Sequence, residues 1–252
     1  IRTPLVEAQT AGQARAHGIP ESEVVERIML EPRPKKAFVT VEEVAAVCRR
    51  HGVTLHTDAA QAVGKVPVDV TRLGVDLLTV AGHKLYGPKG VGALFIRRGT
   101  PISPLIRGAG HEGGLRPGTE NVPHLVGLGA AAVLAQQHLP TIGDRLRRQR
   151  DALQARLDAG IPGLALNGDR DERLPNTLNL SFPGVSGRDL LARAPEIAAS
   201  VGSACHEEAD AVSGVLGAMG VGADRARGAV RLSLGEPTTD AEIITAADAL
   251  IA

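Results

Sequence analysis

Aromatic side chains are nearly missing from this sequence. It has no tryptophan, one tyrosine and three phenylalanines, 2% of its residues. Any core must therefore be packed from Ala, Val, Leu and Ile. Cysteine is also scarce. Cys48 and Cys205 stand far apart, which excludes a disulfide framework and suits a reducing cytoplasm. Excess charge is absent, with 28 Lys and Arg against 28 Asp and Glu. A balanced chain offers no broad basic surface, so neither nucleic acid nor an anionic membrane is expected as partner. No uninterrupted apolar run reaches the roughly 18 residues of a membrane span, and no signal peptide is visible. The first residue is Ile, so a fragment of a longer protein is expected.

Glycine, by contrast, is plentiful, at 30 residues. Much of it lies between residues 82 and 129, where backbone is expected to approach something closely. The apolar spacing predicts a helix over 42–50, followed by short strands at 53–56, 76–80 and 91–96. Short apolar strands with helices between them predict an α/β sheet buried on both faces. The Gly- and Pro-rich stretch 98–121 has no periodicity, and a loop of that length is often functional. Beyond it, helices are predicted at 122–139 and 142–158, strands at 176–182, 197–201 and 229–234, and helices at 187–194, 211–219 and from Asp240. This second half reads as a smaller α+β unit.

Two residues carry the chemistry. Lys84 follows the strand at 76–80 in VAGHKLYGPKGVG. A lysine there is expected to be poorly solvated, which lowers its pKa and suits it to condense with a carbonyl. An exposed loop lysine is the plainer alternative. Asp58 ends the neighbouring strand, where α/β folds place their ligands, and could keep a pyridinium nitrogen protonated. Taken alone, Asp58 reads as a turn or helix-capping residue. Gln61 follows three residues later and could donate to a ring oxygen. No metal site is expected: Cys48 with His51 is at best half of one.

Six ordered blocks make the pattern specific: HTDAAQAVGK (56–65), AGHKLYGPKGVGALF (81–95), GHEGGLRPGTEN (110–121), LPNTLNLSFPGV (174–185), GSAC (202–205) and AVRLSLGEPTTDAE (229–242). Together they resemble the cysteine desulfurases of the class V aminotransferase group, which use pyridoxal 5′-phosphate. The resemblance runs from about residue 42 to the C-terminus. It implies part of a pyridoxal-phosphate fold-type-I large domain over 46–125, then a small α+β domain over 126–252. It further implies that Lys84 joins the cofactor aldehyde and moves the substrate α-proton. Asp58 would pair with the ring nitrogen and Gln61 with the ring oxygen. His83 would contact the cofactor phosphate, and Thr119 the phosphate of a partner subunit in a homodimer. Arg231 would grip the substrate carboxylate. Cys205 would attack the substrate sulfur and leave as a persulfide; without the blocks it would read as a small buried hydrophobe. L-cysteine or a related small amino acid is the implied substrate, and a sulfur-accepting protein the implied partner. Cys48 lies on an apolar helical stripe and reads as packing.

Some positions depart from the family pattern. Ala81 stands where the family usually has Ser, which removes a hydroxyl from the phosphate. Gly113 and Pro117 replace a common Arg and Ser. The stretch from Gly184 to Cys205 is about two residues short, and His206 follows the cysteine. Upstream, residues 1–45 do not resemble a desulfurase. TPLVEAQ (3–9) and HGIPESEVVERIMLEPRPKKAFVTVEEVA (17–45) are similar to the C-terminal part of short-chain 3-hydroxybutyrate dehydrogenases. Dehydrogenase chemistry is not expected, because the only tyrosine, Tyr86, has Gly90 rather than lysine four residues on. The alternative to a working desulfurase is therefore a truncated or chimeric relative with an incomplete site.

Overall fold

The computed structural model describes residues 39–202 and 213–252. The readings made for residues 1–38, Cys205, His206 and the start of the 211–219 helix lie outside the described residues. The described chain divides into two units, residues 39–145 and residues 146–252.

In the first unit, helix α1 spans Val41–Arg50. Its start is fixed by a reciprocal cap: the Glu43 amide donates to Thr40 Oγ1 at 3.2 Å, and the Thr40 amide donates to Glu43 Oε2 at 3.0 Å. Glu42 and Glu43 in the first turn, with Arg49 and Arg50 in the last, suit the helix dipole. Strand β1 (His56–Asp58) pairs in parallel with β2 (Leu77–Ala81), placing Asp58 opposite Thr79. The crossover between them contains the short helix α2 (Val70–Leu73), capped by Asp69, whose Oδ1 accepts from the amides of Thr71 and Arg72. Strand β3 (Gly92–Ile96) returns antiparallel to β2. Beneath the sheet, Ala59, Val75 and Leu78 are buried against Leu55, Val63, Val70 and Phe95.

Burial on both faces, as read from the sequence, does not hold. His56 and Asp58 in β1, and Gly92, Ala93 and Leu94 in β3, are exposed. The cause is topological. β2 and β3 are antiparallel, so they need no helical crossover, and among the described residues the outer strand β3 is uncovered on both sides at Gly92, Ala93 and Leu94.

Helix α3 runs unbroken from Val122 to Gly160 and contributes residues to both units. Two helices were expected here, with a break at about residue 140. Pro140 lies inside the continuous helix instead, and Thr141 Oγ1 donates to the His138 carbonyl beside it. One 18-residue window of α3 reaches a mean hydropathy of 1.2, so by length and composition it attains the range of a membrane span. Only a small share of that window is buried. Core helices of soluble proteins also pass this compositional test.

The second unit is built on a three-stranded antiparallel sheet, ordered β4 (Ala165–Leu166), β5 (Thr177–Ser181), β6 (Ala229–Ser233). Leu178 and Leu180 of β5 and Val230 and Leu232 of β6 are buried, as are Leu146, Leu153 and Leu157 of α3. Four helices complete it: α4 (Gly187–Arg193), α5 (Gly214–Ala218), α6 (Ala223–Arg227) and α7 (Asp240–Ile251). The strand expected at 197–201 is only an isolated bridge between Ser200 and Arg231. In α3, a Cβ on Gly160 would lie 2.6 Å from the side chain of Ile251 in α7, which would have to shift to admit it.

A proline inside a helix removes one backbone hydrogen bond and crowds the preceding turn, at a cost of about 3 kcal/mol relative to alanine. Pro140→Ala is therefore expected to raise the thermal midpoint followed by circular dichroism. An unchanged or lower midpoint would mean that the chain around Pro140 is not helical.

Candidate active site

Parallel pairing sends the C-terminal ends of β1 and β2 to the same edge of the sheet, the edge at which α/β folds bind ligands. Asp58 ends β1. Just past the end of β2, a tight turn at Gly82–Leu85 carries His83 and Lys84. Two backbone hydrogen bonds close that turn, from the Gly82 amide to the Val91 carbonyl at 3.1 Å and from the Gly87 amide to the Gly82 carbonyl at 2.9 Å. A Cβ on Gly82 would sit 2.6 Å from the Val91 oxygen, so only glycine fits. Tyr86 holds a left-handed backbone with φ of 66°, an uncommon state for a non-glycine residue. Leu85 is buried and anchors the turn, and Pro88 presses on Gly127 of α3, where a Cβ would meet it at 2.7 Å. The small residues around Lys84 thus make a stiff support for an amine.

That amine is not desolvated as expected from the sequence. Lys84 is exposed, because the turn leads it off the sheet edge into the open. The half-buried amine is Lys65, whose Nζ donates to the Lys84 carbonyl at 3.1 Å. Burial first, and then repulsion from Lys84, lower the Lys65 pKa below its ordinary value. Lys65 was not singled out from the sequence. Its signal was the preceding glycine: Gly64 takes φ of +77°, which turns the chain back toward Leu85.

The other expected site residues are distributed as follows. Asp58 is exposed, and its Oδ1 accepts from the Ala60 amide at 2.8 Å. Gln61 is exposed in the turn after β1. Thr119 is exposed in the loop before α3. Among the described residues, Gln61, His83, Thr119 and the Lys84 amine have no hydrogen-bond partner. Within this first unit the fold therefore brings Asp58, Gln61, His83 and Lys84 to one edge. Arg231 lies in the second unit, at the middle of β6, opposite Asn179 of β5 and bridged to Ser200 on its other side. Cys48 is a partly buried free thiol in α1, consistent with packing.

A family model described as aminotransferase class-V matches residues 37–245. The chain belongs to that family. A class-V cysteine desulfurase of Gluconacetobacter diazotrophicus is 46% identical over 205 residues, covering 81% of this chain and 51% of the relative. Cysteine desulfurase IscS of Ehrlichia chaffeensis is 40% identical over 214 residues, covering 84% of this chain and 52% of its own length. A solved structure, a NifS-like protein, superposes with a TM-score of 0.76 at 35% identity, covering 84% of this chain and 55% of that one. The class-V fold expected from the six blocks is thus present, and the chain spans about half the length of the curated relatives it matches.

Because folding lowers the Lys65 pKa, its charged form is disfavoured in the folded chain. That penalty is complete below the folded value and is relieved as pH rises through it. Lys65 should titrate below the other lysines when followed by NMR of the lysine side chains. In Lys84→Met its pKa should rise part of the way back, since burial remains. A Lys65 that titrates with the bulk lysines would contradict this environment.

Proposed function

We propose that the chain carries the lysine-bearing part of a pyridoxal-phosphate cysteine desulfurase. The observation that carries this reading is the placement of Asp58 and Lys84 at the ends of adjacent parallel strands. The cofactor fits the residues present: one edge offers a carboxylate, an amide, an imidazole and an amine, of which only the carboxylate is engaged in a hydrogen bond among the described residues. Asp58 would hold the ring nitrogen, Gln61 the ring oxygen, His83 and a second copy's Thr119 the phosphate, and Lys84 the aldehyde. When bound, pyridoxal phosphate supplies an electron sink for charge left at the substrate α-carbon.

The chain's own residues supply the remainder. Lys84, presented on its rigid turn, would take the α-proton and later restore one to the α-carbon, while a thiol proton ends on the β-carbon. Arg231 offers a planar fork to the substrate carboxylate, and its backbone is held on both sides by Asn179 and Ser200. The Cys205 thiolate takes the sulfur. L-cysteine and the Cys205 thiol thus become alanine and a persulfide, with atoms and electrons balanced. The names of the relatives support L-cysteine as substrate.

The same reading includes a homodimer, a sulfur-accepting protein and a cytoplasmic setting. The dimer is supported by exposed apolar residues of the first unit: Ile102, Ile106, Val122, Val126 and Leu105, the last 98% exposed. The cytoplasm is supported by two widely spaced cysteines and by bacterial relatives. A second reading is a truncated or chimeric relative without a complete active site, with which the match to about half of each relative is consistent.

Adding cofactor to the full chain should produce an absorbance band at the visible edge, which borohydride fixes onto Lys84 and which Lys84→Ala abolishes. Cys205→Ser should keep the band but reduce alanine formation from cysteine to background. A lysine-dependent band without turnover in the wild type would select the second reading, and no band would remove the first. Replacing Leu105 and Ile106 by Glu should shift the sedimentation of a dimer toward the monomer. An unchanged dimer would place the interface elsewhere.

A further inference from the structure

The second unit holds a cleft of about 300 Å³ between α3 and the turn at residues 169–173. Four arginines line it, Arg147, Arg150, Arg170 and Arg173, against three aspartates. Its floor is unusual. Arg150 is only 3% exposed, and its Nε and Nη2 both donate to Asp151 Oδ1, at 2.8 and 2.7 Å, while Nη1 donates to the Leu174 carbonyl. Arg173, with a side chain 12% exposed, reaches Gln154 Oε1 at 2.9 Å through Nη2, and the same Asp151 at 3.6 Å. Two guanidiniums on the floor thus share one carboxylate, which is itself 51% exposed. Arg173 Nε and Nη1 are buried and have no hydrogen-bond partner among the described residues.

The turn that presents these cations is well defined. Asp169 Oδ1 accepts from the amides of Asp171 and Glu172 at 2.7 and 2.8 Å, fixing the turn that carries Arg170 and Arg173. Burial, and then repulsion from Arg150, push the Arg173 pKa below its usual value. We infer that this cleft binds a phosphate-class oxoanion, free or as the end group of a phosphomonoester. The geometry favours phosphate over a carboxylate. The unpartnered donors lie on different edges of the guanidinium, and a tetrahedral anion offers oxygens in several directions where a planar carboxylate offers two. Meeting an anion in the cleft requires Arg173 to turn these donors outward, exchanging its contacts with Gln154 and Asp151 for the anion. Nothing in the proposed desulfurase chemistry uses this cluster, so the inference stands apart from that reading.

The test is calorimetric titration of the full chain with inorganic phosphate at constant ionic strength. Saturable binding is expected, weakened at least about tenfold by Arg173→Gln. Arg170→Ala, at an exposed position, should weaken it by a smaller factor while leaving the thermal midpoint unchanged. His83→Ala should leave this binding intact, which separates it from the phosphate end of the cofactor. Glycerol phosphate run in parallel distinguishes the sources: tighter binding assigns a phosphomonoester, and equal or weaker binding assigns the free ion. The inference is overturned if the wild type shows no saturable binding. It is equally overturned if both arginine variants bind within about twofold of wild type, or if only His83→Ala loses binding.

Discussion

The pairing of β1 with β2 is the constraint on which the first unit depends. Because these strands run parallel, whatever ends one lies beside whatever follows the other. Asp58 and Lys84 are 26 positions apart in sequence, yet the register of Asp58 with Thr79 puts both at one edge. An antiparallel pairing would have sent the acid and the amine to opposite edges. The crossover that makes the parallel pairing possible is short, capped by Asp69 and packed through Val75 and Leu78.

Rigidity at this edge comes from small residues and costs little. Gly82 lets the backbone of Val91 approach, Gly127 lets Pro88 dock on α3, and buried Leu85 pins the turn between them. Lys84 is thereby fixed through its backbone while its amine stays free. Lys65 adds a second positive charge at the Lys84 carbonyl, held there by the turn at Gly64. Two like charges at one edge are tolerable because Lys84 faces solvent, where their repulsion is screened.

The second unit shows how little aromatic content a core needs. Leucines from α3, β5 and β6 fill it, and the polar groups it buries are matched. Asn167 donates to Asn179 and Ser181, and Asn176 donates to the Leu234 carbonyl. Arg173, a buried guanidinium only partly satisfied, and the Oε1 of Gln149 are exceptions among the described residues. In a unit that otherwise pairs its buried donors, Arg173 marks the cleft as something other than packing.

Much was legible from local pattern. The helix expected over 42–50 is found at Val41–Arg50, and the one expected from Asp240 at Asp240–Ile251. The strand expected at 76–80 lies at Leu77–Ala81, whereas the one expected at 53–56 is displaced to His56–Asp58 and shares only His56 with the expectation. The order of six short blocks sufficed to point to the class-V family. Other features were not legible, because they depend on residues distant in sequence. Pro140 lies inside a continuous helix, which local periodicity did not show. The solvation of Lys84 depends on what covers the sheet edge, and the burial of Lys65 on how the turn after β1 folds back. The sequence by itself determined which chemical groups exist and at what spacing, since these follow from residue type and local periodicity. Only the tertiary structure decided which of them share an edge, which lose water and which remain unpaired, since these follow from strand direction and burial.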